Sequence, residues 1–300
     1  MESIITKNLS YSIGSKTILN NVSLNVPEGS IYGYLGRNGA GKSTTIKLLL
    51  GLLEETGDQI LIQNKSLKQN RTEILFSTGN LIESPCFYTK LTVFENLKYL
   101  DIIYEKGTKR IDEILEIVGL AKEKKKKARD LSMGMKQRLG IAMAIFHDPE
   151  LLILDEPLNG LDPQGIFEMR SLFQELNEQG KTIFISSHIL SELEKITTHI
   201  GIIEDGKIAF QGTKNELLGK VEKNVILKVS NGEKATSALQ GIFNILQTDL
   251  NKISVKITND KEFNTLIKTI ITNEIDIYDI ESYNTNLEQI FIKLISNIHD

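Results

Sequence analysis

One cysteine, Cys86, occurs in 300 residues, which excludes an internal disulfide and fits a reducing compartment. Charge of one sign is not in excess either: 35 Lys/Arg stand against 39 Asp/Glu, for a formal net charge of −4. Residues 214–300 hold 10 of the basic and 12 of the acidic side chains. Neither part is basic, so a sequence-independent grip on DNA or RNA is not expected. Long apolar runs are missing too. Residues 48–50 and 151–154 are among the longest, far short of the ~20 that span a bilayer. The N-terminus has no basic stretch followed by an apolar one, so no secretory signal is expected. No repeat of fixed period is evident. A cytoplasmic protein is expected, and any work at a membrane needs a partner. What is present, 40% hydrophobic and 25% charged residues, is ordinary for a globular chain of about two domains.

Short β-branched strands are expected at residues 18–26 and 31–35, the second running into a glycine-rich turn and then a helix from Lys42 to about Leu53. Residues 92–147 read as mostly helical, with Phe94, Leu97 and Leu100 on one stripe. Apolar strands return at residues 151–154, 182–185 and 199–203, with a helix after Pro163. Strands separated by helix-length segments predict a parallel α/β sheet, with the helical stretch of about 88–147 inserted in it. After residue 213 the texture changes. Phe263, Leu266, Ile267, Ile270 and Ile271 share a helical face, as do Leu287, Ile290, Phe291, Leu294 and Ile295. Asn259 with Glu262, and Thr285 with Glu288, have the spacing of capping boxes. Strands are expected at about 225–229, 253–258 and 275–281. Residues 214–300 are expected to form a small α+β domain, with a ferredoxin-like β-α-β-β-α-β order as one candidate arrangement.

Gly36-Arg37-Asn38-Gly39-Ala40-Gly41-Lys42-Ser43 matches G-x-x-x-x-G-K-[ST], between an apolar strand and a helix. Glycines let the backbone wrap phosphates with several N–H groups pointing inward, and the helix N-terminus beneath adds partial positive charge. Lys42 is expected to reach the β- and γ-phosphates of ATP and Ser43, followed by Thr44, to ligate Mg²⁺. Residues 151–156, Leu-Leu-Ile-Leu-Asp-Glu, read as a buried strand ending in two acids. Asp155 would hold Mg²⁺ and Glu156 would polarise the attacking water as general base. An Asp-Glu pair is often only a turn or a cap; behind a phosphate loop the catalytic reading is favoured.

Leu131-Ser132-Met133-Gly134-Met135-Lys136-Gln137-Arg138, upstream of that pair, resembles the signature of the ABC ATPases. Gly160-Leu161-Asp162 resembles their D-loop, and Ile185-Ser186-Ser187-His188 their switch histidine. The resemblance covers about residues 1–213 and rests on five ordered motifs. It implies a P-loop ABC nucleotide-binding domain (1–213, helical subdomain about 88–147) followed by an accessory α+β domain (214–300). It also implies ATP hydrolysis with Mg²⁺ and a dimer formed head to tail on ATP, of two copies or with a related ATPase. Ser132 and Gly134 would cap the γ-phosphate held by the opposite subunit, Asp162 would lie along the interface, and His188 would contact the γ-phosphate. A separate transmembrane permease would be driven from the inner face of the membrane.

Met133 and Met135 depart from the commonest glycine and glutamine of that motif; bacitracin and sodium-efflux exporters often have methionine where Met135 stands. The adenine-stacking aromatic of the family falls at Ile13, with Tyr11 two residues before it on the same strand face. Either Tyr11 substitutes or adenine meets Ile13, and weaker nucleotide affinity follows. The glutamine of the family's Q-loop is replaced by Glu83, a better Mg²⁺ ligand than an amide and a repeller of γ-phosphate without metal. Glutamate there resembles ATPases of lantibiotic immunity, and the loop is similar to bacitracin-resistance ATPases. Export of a peptide antibiotic is thus expected, with another drug or a cation as alternatives. A soluble ABC ATPase of translation or DNA repair would show two cassettes or sustained heptads, and a nucleotide sensor without turnover has no need of Glu156. The basic run at residues 124–127 with Arg129 reads as a solvated loop, and Cys86 as a loop residue.

Overall fold

A computed structural model describes residues 1–83, 85–188, 190–219, 223–257 and 259–283. Residue contacts divide the chain into two compact units, Met1–Lys214 and Asn215–Asp300. Among the described residues no helix is long and apolar enough to cross a membrane.

In the first unit the strands Ile31–Leu35, Leu151–Asp155 and Thr182–Ser187 are buried at every position, as strands covered on both faces must be. They lie inside a six-stranded sheet of order Lys207–Thr213, His199–Glu204, Ile31–Leu35, Thr182–Ser187, Leu151–Asp155, Thr78–Leu81. All neighbours are parallel except the outermost pair, Lys207–Thr213 on His199–Glu204. Parallel register sets Ser186 beside Asp155 and Ser187 beside Leu35. The carboxyl ends of three strands thus share one edge, the place where open α/β sheets bind ligands. Tyr34 and Phe184 pack with ring centroids 5.2 Å apart among Leu19, Ile46, Ile62 and Ile153.

The strand expected over 18–26 is two strands, because the chain changes sheets there. Lys16–Val22 pairs with Leu9–Ile13 as a hairpin, while Asn25–Pro27 joins an antiparallel sheet with Glu2–Thr6, Ile60–Ile62 and Lys65–Ser66. The helix expected to reach about residue 53 stops at Leu49, where Gly51 turns left-handed at φ +61°.

The inserted region contains the helices Val93–Tyr104, Thr108–Ile117 and Met133–Ile145. Thr92 and Glu95 form a reciprocal capping box at the start of the first. The third rides on the edge strand Thr78–Leu81. Glycines make that approach possible: a Cβ on Gly79 would stand 2.2 Å from the Ala144 carbonyl, and one on Gly140 2.7 Å from Pro85.

The second unit has the strands Lys223–Val229, Asn244–Asp249, Lys252–Ile257 and Ile277–Tyr283 and the helices Gly232–Leu239 and Asp260–Thr272. The order is β-α-β-β-α-β, and every pair of neighbours in the sheet is antiparallel. Leu227, Val255, Leu239, Leu266 and Ile270 make its core. Asn259 caps the second helix, accepting from the Glu262 N–H at 2.9 Å. Gly232–Leu239 is not among the helices expected above, its eight residues carrying little apolar periodicity. The helix and capping box expected beyond residue 284 lie outside the described residues.

Candidate active site

The phosphate loop leaves the buried strand Ile31–Leu35 and enters the helix Lys42–Leu49 through Gly41, at φ +112°. Such a φ favours glycine, and Gly39 at +86° repeats it. A side chain on Gly36 would come within 2.5 Å of the Ile203 carbonyl, and one on Gly41 within 2.6 Å of Leu19. Ala40 is buried, while Asn38 and Gly39 crest the loop, exposed. Ser43 and Thr44 occupy the first turn of the helix, half-buried.

Lys42 is only 6% exposed, and its ammonium donates to the carbonyls of Gly36 at 2.8 Å and Arg37 at 3.3 Å. Burial pushes its pKa below the ordinary lysine value, opposed by the nearby carboxylates Glu156, Asp155 and Glu204. Glu156 Oε1 lies 3.8 Å from Lys42 Nζ. Asp155 is buried and accepts a hydrogen bond from the Ser186 hydroxyl. The same hydroxyl accepts from the Glu156 N–H at 3.0 Å.

Glu156 has its backbone in the left-handed region, φ +50°, a conformation that costs a non-glycine residue about 1–2 kcal/mol and persists where the surroundings over-determine it. Here they do. The Ser186 carbonyl accepts from its N–H at 3.2 Å, its own carbonyl accepts from the Asn159 N–H at 3.2 Å, and His188 Nδ1 lies 2.9 Å from Oε2. Lys42, Asp155, Glu156 and His188, read separately from the sequence, are thus brought into one cluster.

Other expected residues lie elsewhere. Ser132 caps the signature helix Met133–Ile145, accepting from the Met135 N–H at 3.3 Å. A Cβ on Gly134 would meet nothing nearer than Leu161 at 3.5 Å and the Gly160 carbonyl at 3.6 Å, so packing within the chain does not require glycine there. Asp162 caps the helix Pro163–Glu178, accepting from the Gly165 N–H at 2.9 Å.

In the hairpin the extra residues fall on Lys16–Val22, opposite Tyr11; Tyr11 packs against the core while Ile13 is 61% exposed.

Glu83 is not drawn into the cluster. Its backbone is left-handed at φ +53°, its side chain is 60% exposed, and its carboxylate pairs with Lys47 at 2.6 Å. Among the described residues no group of three or more His, Cys, Asp and Glu is arranged to hold a metal ion. Ser186 and Gln137, which touches the backbone beside Glu156, were inside quoted motifs, but their contacts span 31 and 20 residues of sequence and no local pattern announces them.

Residues 19–159 match the family model described as ABC transporter. The bacitracin transport ATP-binding protein BcrA of Bacillus licheniformis is 44% identical over 98% of this chain and 98% of its own length. The lantibiotic transport ATP-binding protein SrtF of Streptococcus pyogenes is 43% identical over 68% of this chain and 88% of its own. Among solved structures, the dimeric ATP-binding cassette MJ0796 in a post-hydrolysis state with ADP and Pi superposes with a TM-score of 0.65 at 26% identity, over 70% of this chain and 98% of that one. With the phosphate loop, the paired acids and the signature helix in one sheet-edge arrangement, the chain belongs to the ATP-hydrolysing ATP-binding subunits of ABC transporters.

Proposed function

We propose that this chain is the motor of an exporter that expels a peptide antibiotic of the bacitracin or lantibiotic type. The observation that carries the motor reading is the placement of Glu156 between Lys42 and His188, at 3.8 and 2.9 Å, beside the phosphate loop. A nucleotide fits this loop: its crest at Asn38 and Gly39 is exposed, with open space around Gly39, and the buried Lys42 aims its ammonium at the loop interior. Mg²⁺ fits by donor chemistry, since that ion takes one or two protein oxygens and completes its shell with phosphates and water. Asp155 and Ser43 would hold it, and it would neutralise charge on the phosphates.

Lys42 binds the phosphate tail. Glu156 accepts a proton from the attacking water, its carboxylate flanked by His188 on one side and Lys42 on the other. Ile13, exposed on its hairpin, meets the adenine face. Ser132 and Gly134 face outward from the chain with no internal demand for glycine, which supports their capping a nucleotide on a second copy, head to tail. MJ0796, too, is described as dimeric. The substrate reading is supported by BcrA and SrtF, whose names state bacitracin and lantibiotic transport. The permease is supported by an exposed apolar flank on the inserted region. Tyr88, Tyr99, Ile102 and Ile103 are each about half exposed or more there, above a cleft of about 250 Å³ lined by Leu81, Leu100 and Tyr104. Such a flank fits a membrane-protein partner, and would hold the subunit at the inner membrane face.

The test uses tagged Glu156→Gln protein, pulled down with ATP from native membranes, beside a resistance assay. Recovery of a multi-spanning permease, and several-fold tolerance to a bacitracin-like or lantibiotic peptide that vanishes with Glu156→Gln, supports the proposal. Ribosomes or DNA-associated proteins in place of a permease would overturn the transport reading, and unchanged peptide tolerance the substrate reading.

A further inference from the structure

The signature helix reaches its own chain's hydrolytic turn through one side chain. Gln137 lies on the inward face of Met133–Ile145 and is 2% exposed. Its amide nitrogen donates to the Pro157 carbonyl at 2.9 Å and approaches the Glu156 carbonyl at 3.4 Å. Two carbonyls facing one end of the amide identify that end as the NH₂, since a carbonyl oxygen there would meet only acceptors. On the opposite side of the same turn, Ser186 holds the Glu156 N–H with both its hydroxyl and its carbonyl. The left-handed residue is therefore gripped at its amino side by the central sheet and at its carbonyl side by the signature helix.

We propose that Gln137 is a positioning residue: it fixes the backbone that aims Glu156, so a shift of the signature helix is felt directly at the carboxylate that activates water in the same chain. The inference rests on Glu156 acting as the base. A consequence follows for the dimer. The N-terminus of this helix, with Ser132 and Gly134, faces the nucleotide of the other copy, while four residues further along Gln137 governs its own. One rigid helix of thirteen residues then links the occupancy of one site to the geometry of the other.

The substitution Gln137→Met keeps length and volume and removes both donors. Its kcat for ATP should fall about 10-fold or more, as misplacement of a catalytic group on the ångström scale does, with KM for ATP within about twofold. Gln137→Glu supplies a conditional rescue. A glutamic acid facing two carbonyls donates only when protonated, and burial among acceptors raises its pKa. The ratio of its kcat to that of the wild type should be high near about pH 6 and fall toward about pH 8 as the proton is lost.

A Gln137→Met kcat within twofold of the wild type overturns the proposal, and so does a Gln137→Glu ratio that is flat with pH. Should Gln137→Met fail to purify folded, the Gln137→Glu ratio decides alone. Glu156→Gln is assayed alongside. Turnover retained in that variant removes the base reading and this inference with it, whereas turnover lost in it confines a negative result at Gln137 to the inference.

Discussion

Two glutamates of this chain share a backbone conformation and little else. Glu156 and Glu83 both sit in the left-handed region, at φ +50° and +53°. The side chain of the first is 16% exposed and that of the second 60%. Around Glu156 the central sheet, the signature helix, Lys42 and His188 each supply a contact, while among the described residues Glu83 has one ion pair, with Lys47 at the surface. The same strained backbone is thus a fixed geometry in one place and a lightly tethered loop in the other. Burial with several partners makes a carboxylate a tool; exposure with one partner leaves it free to answer to something outside the chain.

The largest expected effect breaks the first member of that pair. Glu156→Gln should lower ATP turnover by about 100-fold or more while leaving ATP binding intact, measured by phosphate release against nucleotide titration. Loss of binding as well would mean that the carboxylate shapes the loop instead of the chemistry. Next in size is Gly134→Ala. Because an added methyl meets only ordinary contacts inside the chain, its Tm should match or exceed the wild type's. Turnover should nevertheless fall about 10-fold or more, through loss of close approach to the partner-bound phosphate. A normal rate with a normal Tm would put the signature outside the dimer site.

A half-buried histidine outside the cluster extends the comparison. His147 stacks on Tyr104 with centroids 4.3 Å apart, and neither ring nitrogen has a hydrogen-bond partner among the described residues. Burial, with Lys106, Lys181 and Arg110 nearby and Asp148 opposing, pushes its pKa down to about 4. The fold therefore favours the neutral ring, and the unfolded chain takes up the proton first as pH falls. Stability should be whole above about pH 6.5 and decline toward pH 4, by no more than about 2 kcal/mol once solvent screening is allowed for. In His147→Phe that slope should flatten, read from urea unfolding at several pH values. An unchanged slope would place the acid sensitivity elsewhere.

Smaller again is Ile13→Tyr, which restores an aromatic face where the hairpin leaves an apolar side chain exposed. ATP should bind about 2- to 10-fold more tightly, and an unchanged Kd would remove Ile13 from the adenine contact. Smallest in the isolated protein is Glu83→Gln. Losing an exposed pair with Lys47 is worth at most about 1 kcal/mol, so Tm and basal turnover should stay near wild type while export coupling in membranes changes. A collapse of basal turnover would move Glu83 into the catalytic cluster and erase the contrast.

What could be read in advance follows the same division. The phosphate loop, the acids after 151–154 and the order of motifs were legible because each is a run of neighbours whose chemistry demands its spacing. The strand ends carrying Asp155 and His188 were found for the same reason. The hairpin was not. Its extra residues fall on Lys16–Val22, opposite Tyr11, and bulges have no residue signature in this stretch. The grip of Ser186 and Gln137 on Glu156 was invisible because it joins distant segments. In the second unit three strands were named from the sequence, yet the strand Asn244–Asp249 and the helix Gly232–Leu239 were passed over, the helix short and with only Ala235 and Leu239 as buried side chains beyond its first residue.

The bulge in that second unit, between Ile245 and Gln247 of the strand Asn244–Asp249, bears on crowding. Among the described residues this strand ends its sheet, and Leu246 and Leu250 beside it are 49% and 82% exposed. A straight edge with such side chains would template aggregation with other copies. The extra residue puts the free N–H and C=O groups out of step, so a foreign strand finds no continuous ladder. A sheet edge that would otherwise recruit other copies is thereby kept from sticking to them.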